Sequence, residues 1–227
     1  MKLLITGATG TIGGAVLRAS IRNPSITSIV ALSRRPLTSS LSSPKLTTVI
    51  VKDWKNWETN ILDNIADADA AVWALGTSDT NQDTNMVYPM AFHNAVLEAR
   101  KKKGTRKRFR FVFISGAFVS PDQGASLWFM SGARKLRGLL ETRVLEFAAQ
   151  NKDWWQTFAV RPGGVFKSGT WMGNCILWAF GQKLAIDEDV LGAYVADLVV
   201  NGGEEEGIVY NARLNERGIV LLKEHGE

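Results

Sequence analysis

The chain has 227 residues, of which 45% are hydrophobic and 22% charged, a balance that fits one folded domain and excludes both a disordered polymer and two independent enzymes. No apolar run reaches the roughly 18 residues that span a bilayer, so integral membrane association is not expected. A single cysteine, Cys175, excludes an internal disulfide and a CxxC metal site, and the net charge of +5 is concentrated in eight bases between Arg100 and Arg110.

In chain order, candidate strands occupy 3–6, 28–32, 47–51, 70–75, 109–115 and 157–160. Most are continuous apolar runs, as expected of strands buried on both faces of a parallel sheet. Between the first two, Ile12, Ala15, Val16 and Ala19 recur at helical spacing, and Asn23-Pro24 stops that helix. A second helix is expected over about 89–102, ended by the basic run, and a third carries the stripe Leu136, Leu139, Leu140, Val144 and Phe147. Strand and helix alternating in this way predict an α/β fold, a doubly wound parallel sheet of Rossmann-like type. Beyond about residue 165 the rhythm weakens. A helix near 188–201, a short strand at 208–210 and a last helical stretch read as a small C-terminal substrate cap, giving a single domain with a core at 1–165 and a cap at 166–227. Because the chain opens directly on a strand-like run and has one cysteine, a cytoplasmic location is expected.

The strongest motif is Thr6-Gly7-Ala8-Thr9-Gly10-Thr11-Ile12-Gly13, which follows the first strand and opens the first helix. A pyrophosphate needs backbone N–H groups aimed at it, and side chains would block the approach, so Gly7, Thr9, Gly10, Thr11, Ile12 and Gly13 are the expected cofactor contacts. A tight turn without ligand is the alternative. The second strand ends on Ser33-Arg34-Arg35 where an NAD-binding chain carries an acid. Two guanidiniums there suit a 2′-phosphate, so NADP is expected in preference to NAD, unless both arginines simply cap a strand end.

These features, with Asp53 after the third strand, Leu75-Gly76-Thr77 after the fourth, Ile114-Ser115-Gly116 after the fifth, the helix segment Arg137-Gly138-Leu139-Leu140-Glu141 and Arg161-Pro162-Gly163, resemble an atypical short-chain dehydrogenase/reductase. The resemblance covers the chain to about residue 165 and is closest to the Tat-interacting-protein/NmrA-like branch, especially its fungal-type members. It implies Asp53 beside the adenine, Gly76 and Thr77 beside the cofactor ribose, Ser115 on the substrate side of the nicotinamide, and cofactor contacts from Arg161 and Pro162. For Asp53 a role as a strand-end turn residue is the alternative.

The family's reductases carry a Tyr four residues before a Lys on one helix face, where the ammonium lowers the phenol's pKa. Here the tyrosines are Tyr88, Tyr194 and Tyr210, all away from that helix. One register puts Ala133 and Arg137 in the two places, and a shift of two puts Ser131 and Lys135 there. Tyr88, Lys135 or water are therefore the candidates for proton transfer, with Tyr88 as a packed aromatic the alternative, and His93 reads as a solvated or core-edge histidine. Trp128, Phe129, Met130, Trp171, Met172, Trp178 and Phe180 lie in the segments that line the family's substrate cleft, so a small apolar carbonyl or enone is the expected substrate, with burial in the cap core the alternative. A cofactor-dependent regulator without turnover and a non-redox isomerase or cyclase are the other functions compatible with the pattern. No metal site is expected. The basic run at 100–110 precedes the start of the fifth strand, on the side away from a Rossmann site. It reads as a solvated edge, or as a surface for an acidic partner or membrane, and not as a nucleic-acid site.

Overall fold

The computed structural model describes all residues except 38–41, 78, 172, 174, 176–177, 179–180, 182–183, 203–206 and 227, and the side chains of 225 and 226. Seven parallel strands form the central sheet: β1 (Lys2–Thr6), β2 (Ser28–Ser33), β3 (Leu46–Ile50), β4 (Ala70–Trp73), β5 (Phe109–Ile114), β6 (Trp155–Arg161) and β9 (Gly207–Tyr210), in the order β3-β2-β1-β4-β5-β6-β9. The short strands β7 (Gly164–Phe166) and β8 (Ala185–Asp187) pair in a separate two-stranded ribbon. The expected doubly wound fold is present, and the strand order reverses between β1 and β4, which opens a crevice at the carboxyl ends of those strands.

Apolar layers cover both faces of the sheet, which explains why its strands read as unbroken hydrophobic runs. On one face α1 (Thr11–Arg22) packs against α5 (Glu188–Asn201), and α5 against α6 (Asn211–Gly226). On the other, α3 (Tyr88–Lys103) and α4 (Ser131–Gln150) close over Trp73, Phe92, Phe111, Phe147 and Trp155, with the short α2 (Thr59–Ile65) beside them. Each such buried side chain contributes about 1.5–3 kcal/mol of transfer free energy. A one-turn π-helical segment, Asp83–Val87, leads into α3.

Two readings of the sequence change here. The Rossmann core does not end near 165: β9 hydrogen-bonds alongside β6 and α5 lies on α1, so most of the tail completes the sheet and its helical layer. The β7–β8 ribbon is not paired with the sheet, and its strand β8 packs against α5 and α6, with Ile186 in the core. The basic run is also not a uniformly solvated edge. Arg100 is fully buried; its guanidinium donates to the carbonyls of Ala66 (3.0 Å), Ala68 (2.5 Å) and Lys107 (2.5 Å) and lies 4.9 Å from the Phe109 ring centre. Arg110 donates to Val199 and Val200 at the end of α5, and Lys107 pairs with Asp69 at 2.6 Å.

His93 is neither solvated nor at the core edge. It is completely buried, its Nδ1 lies 2.6 Å from the Pro89 carbonyl, and its Nε2 has no partner. Rings of Phe111, Phe147 and Trp155 surround it at 4.2, 4.9 and 5.0 Å between centres, and burial holds its pKa down at about 4.

Candidate cofactor and substrate site

The turn after β1 is shaped by close backbone approach. Gly7 has φ of +69°, and a Cβ there would stand 2.6 Å from the Ala74 carbonyl oxygen; a Cβ on Gly13 would collide with the carbonyl of Gly7. Gly10 N donates to Gly7 O at 2.9 Å, and the first bond inside α1 runs from Gly14 N to Gly10 O at 2.8 Å. The N–H groups of Thr11, Ile12 and Gly13 precede that bond. No side chain caps this helix end and no acid occupies its first turn. A Cβ on Gly10 would meet only Gly7 O, at 3.4 Å, and otherwise enter open space. This is a cradle that a side chain would fill and an anion completes, so the residues fit a dinucleotide pyrophosphate.

A cleft of about 350 Å³ runs from Gly7, Ala8 and Thr9 to the end of β2, where Ser33, Arg34 and Arg35 form its wall together with Trp54 and Leu75. Among the described residues neither Arg34 nor Arg35 has an acidic partner, and both are exposed. Asp53, in contrast, does not line this cleft. Its Oδ1 accepts from the backbone of Lys55 (2.8 Å) and Asn56 (3.2 Å) and its Oδ2 from the Asn56 amide (2.9 Å), and these bonds hold its carboxyl below the usual range. It is a turn residue. Its neighbour Trp54 forms the wall on that side.

A second pocket, about 310 Å³, lies beyond the glycine turn and is bounded by Ile12, Thr77, Ser115, Arg137, Pro162 and Val165, among others. Asn85, buried in the π-helical turn, fixes the loop after β4: its Oδ1 accepts from Thr77 N (3.1 Å) and its Nδ2 donates to Thr77 Oγ1 (3.0 Å) and Asp79 O (3.1 Å). Beside that loop the Arg137 guanidinium lies against Gly76, where a Cβ would stand 2.5 Å from its Nη2 and push it aside. Ser115 is buried, and its hydroxyl donates to Glu141 Oε2 at 2.6 Å. Glu141, 2% exposed, receives in turn a two-pronged ion pair from Arg161, whose pKa rises through that bond.

This chain of three changes the expected roles. Arg161 is committed to Glu141, with its guanidinium 5.5 Å from the Tyr210 ring centre, while Pro162 keeps a place in the pocket wall. The Ser115 hydroxyl spends its proton on Glu141, so toward a ligand in the pocket it can act only as an acceptor. Ala133 and Arg137 are the pair that α4 presents to the pocket; Lys135 and Tyr88 do not line it. Tyr88 packs instead near Trp54, 6.3 Å between ring centres. The aromatic lining is also mostly absent. Trp128, Trp171 and Trp178 are 97%, 82% and 90% exposed, and Met130 alone of the expected cluster lines the pocket, joined by Phe118 and Val119. Met172 and Phe180 lie outside the described residues.

Residues 7–167 match a family described as NAD(P)H-binding. The mitochondrial protein FMP52 of Candida albicans is 24% identical over 239 residues, covering 97% of this chain and 94% of its own. The mitochondrial fmp52 of Emericella nidulans is 33% identical over 164 residues, 71% of this chain and 66% of its own. The carbonyl reductase Sniffer of D. melanogaster shares the fold, with a TM-score of 0.66 at 14% identity over 92% of this chain and 96% of that one. The names of both curated relatives place them in mitochondria, which overturns the expectation of a cytoplasmic protein: a leading strand and a single cysteine do not report the compartment. The glycine cradle at the sheet's switch point and the match across most of the chain together make this a member of the NAD(P)H-binding family, with the Rossmann architecture of the short-chain dehydrogenases/reductases.

Proposed function

We propose that this protein is an NADP-dependent oxidoreductase acting on a small carbonyl or enone. The observation that carries the reading is the one cleft in which the glycine turn meets Arg34 and Arg35, two arginines without an acidic partner among the described residues, at the switch point. Residues 7–13 hold the pyrophosphate, the two guanidiniums hold the 2′-phosphate, and Trp54 and Leu32 bound the space for the adenine. Thr77, at the edge of the second pocket, and its neighbour Gly76 are the proposed contacts of the dinucleotide as it passes between the two. When bound, the reduced nicotinamide supplies a hydride to the substrate carbon. Around it the chain's own groups divide the work: Arg137 is the donor that anchors the substrate, Ser115 accepts a hydrogen bond from it, and water entering the open pocket delivers the proton to the reduced carbonyl oxygen. A second reading, NADP binding without turnover, is favoured by the commitment of the Ser115 proton to Glu141 and by a pocket wall that carries no phenol.

The test titrates NADPH and NADH against tryptophan fluorescence. Each charge-assisted bond contributes about 1.5–3 kcal/mol, so Arg34→Ala with Arg35→Ala weakens NADPH by at least about 100-fold and leaves NADH nearly unchanged. Equal losses for both cofactors refute the assignment. Oxidation of NADPH across ketones, enones and quinones separates the reductase from the protein that only binds.

A further inference from the structure

The second pocket is lined by positive charge: among the described residues Arg134 and Arg137 both line it, and no Asp or Glu does. Two acids stand one residue behind the wall: Glu141, behind Ser115, is neutralised by Arg161, and Asp79, behind Thr77, accepts from the Thr77 hydroxyl and from Asn81 N. Arg134 spends its guanidinium on the carbonyls of Phe118 (2.5 Å) and Phe129 (3.3 Å). Arg137 has no hydrogen-bond or ion-pair partner among the described residues, although it is half-buried and desolvation lowers its pKa. A cation removed from water without a partner is costly, and such a site is complete only when an anion enters.

The cofactor's own charges are provided for elsewhere, at the helix N-terminus of the glycine turn and at Arg34 and Arg35. The remaining walls near Arg137 are apolar, from Ile12, Phe118, Val119, Met130 and Val165. A planar fork beside an apolar wall suits a carboxylate with a hydrocarbon remainder, because the two parallel N–H···O bonds fix its plane. Ser115, which lines the same pocket and has given its proton to Glu141, adds an acceptor for a hydroxyl or N–H on that molecule.

We propose that the substrate of this pocket is a small carboxylic acid with an apolar remainder, its carboxylate held by Arg137. The inference rests on the assignment of this pocket as the substrate end of the dinucleotide site. It is tested by calorimetric titration of the full chain, with and without saturating NADP, using three acid and amide pairs: acetate and acetamide, butyrate and butyramide, cinnamate and cinnamamide. The acid binds at least tenfold tighter than its amide in one pair or more, and Arg137→Met removes that preference while NADPH affinity stays within about twofold. No preference in any pair, including no binding at all, overturns the inference, as does a preference that survives Arg137→Met. An NADPH loss matching the acid loss assigns Arg137 to the cofactor and also overturns it. Should the Met variant fail to fold, Arg137→Lys, which keeps the charge and loses the fork, carries the test: acid affinity falls at least threefold, and an unchanged affinity refutes the proposal. Failure of wild-type protein to bind NADPH is read in its own titration and falls on the cofactor assignment.

Discussion

Lowering the pH should destabilise this protein well before its carboxylates titrate, and His93 is the cause. In the unfolded chain its imidazole protonates near 6.5, whereas in the folded chain, among Phe111, Phe147 and Trp155, that happens only at about 4. The neutral ring keeps its one proton on Nδ1, donated to the Pro89 carbonyl, and a second proton on Nε2 would be a buried charge without a hydrogen-bond acceptor. Because the folded value is depressed, the unfolded state takes up the proton first. Stability is intact above 6.5 and is lost as the pH falls toward 4. Over that window the loss is about 3 kcal/mol, from roughly 1.4 kcal/mol for each tenfold change in proton concentration. That is a large share of a total that is typically about 5–15 kcal/mol. Carboxylates such as Asp69 and Asp187, held below 3.8 in the folded state, lose their contribution only at lower pH. Urea melts at a series of pH values between 7 and 4, compared for wild type and His93→Phe, measure the effect. The slope in the variant should be shallower by about 3 kcal/mol over the interval, whatever the packing change does to absolute stability. Parallel curves for the two proteins would refute the reasoning.

Two further predictions follow the same physics. Gly13→Ala drives a methyl group into the Gly7 carbonyl, so the turn must open; the variant should lose the thermal stabilisation that NADPH gives wild type, and a retained shift of equal size would show that the turn tolerates the group. Removing one partner of the Ser115–Glu141–Arg161 chain, as in Arg161→Met, leaves Glu141 buried and uncompensated and should cost about 3–5 kcal/mol in denaturant melts. The double replacement Glu141→Leu with Arg161→Met should recover most of that loss, and additive losses would mean the pair is not coupled.

The sheet was readable because its inner strands are runs of apolar residues bounded by turns, a pattern that burial on both faces enforces, and the edge strand β3 keeps β-branched residues although it is only partly buried. Strands β7 and β8 were not, since three residues show no period. The tail was taken for a cap because nothing local in Gly207–Tyr210 says that it hydrogen-bonds beside β6. The same limit governs the site. The glycine turn and the two arginines sit within short stretches of chain and could be read directly. Glu141 looks like any acid on an amphipathic helix until the fold brings it to Ser115, 26 positions earlier, and Arg161, 20 later. The exposed tryptophans misled in the opposite direction, because aromatic composition does not say which way a ring points.

Arg100 has a practical consequence for anyone mapping the surface. It fastens the connection between α2 and β4 to the residues just before β5, so the most conspicuous cluster of positive charge contains an internal rivet, and Arg110 is a second one, gripping the end of α5. A block replacement of every base from 100 to 110 would unravel the chain, and its failure to capture an acidic ligand would then report unfolding in place of recognition. A block confined to Lys101, Lys102, Arg106 and Arg108 changes the field of this edge while leaving both rivets seated, and it is the variant with which electrostatic recognition here can be measured.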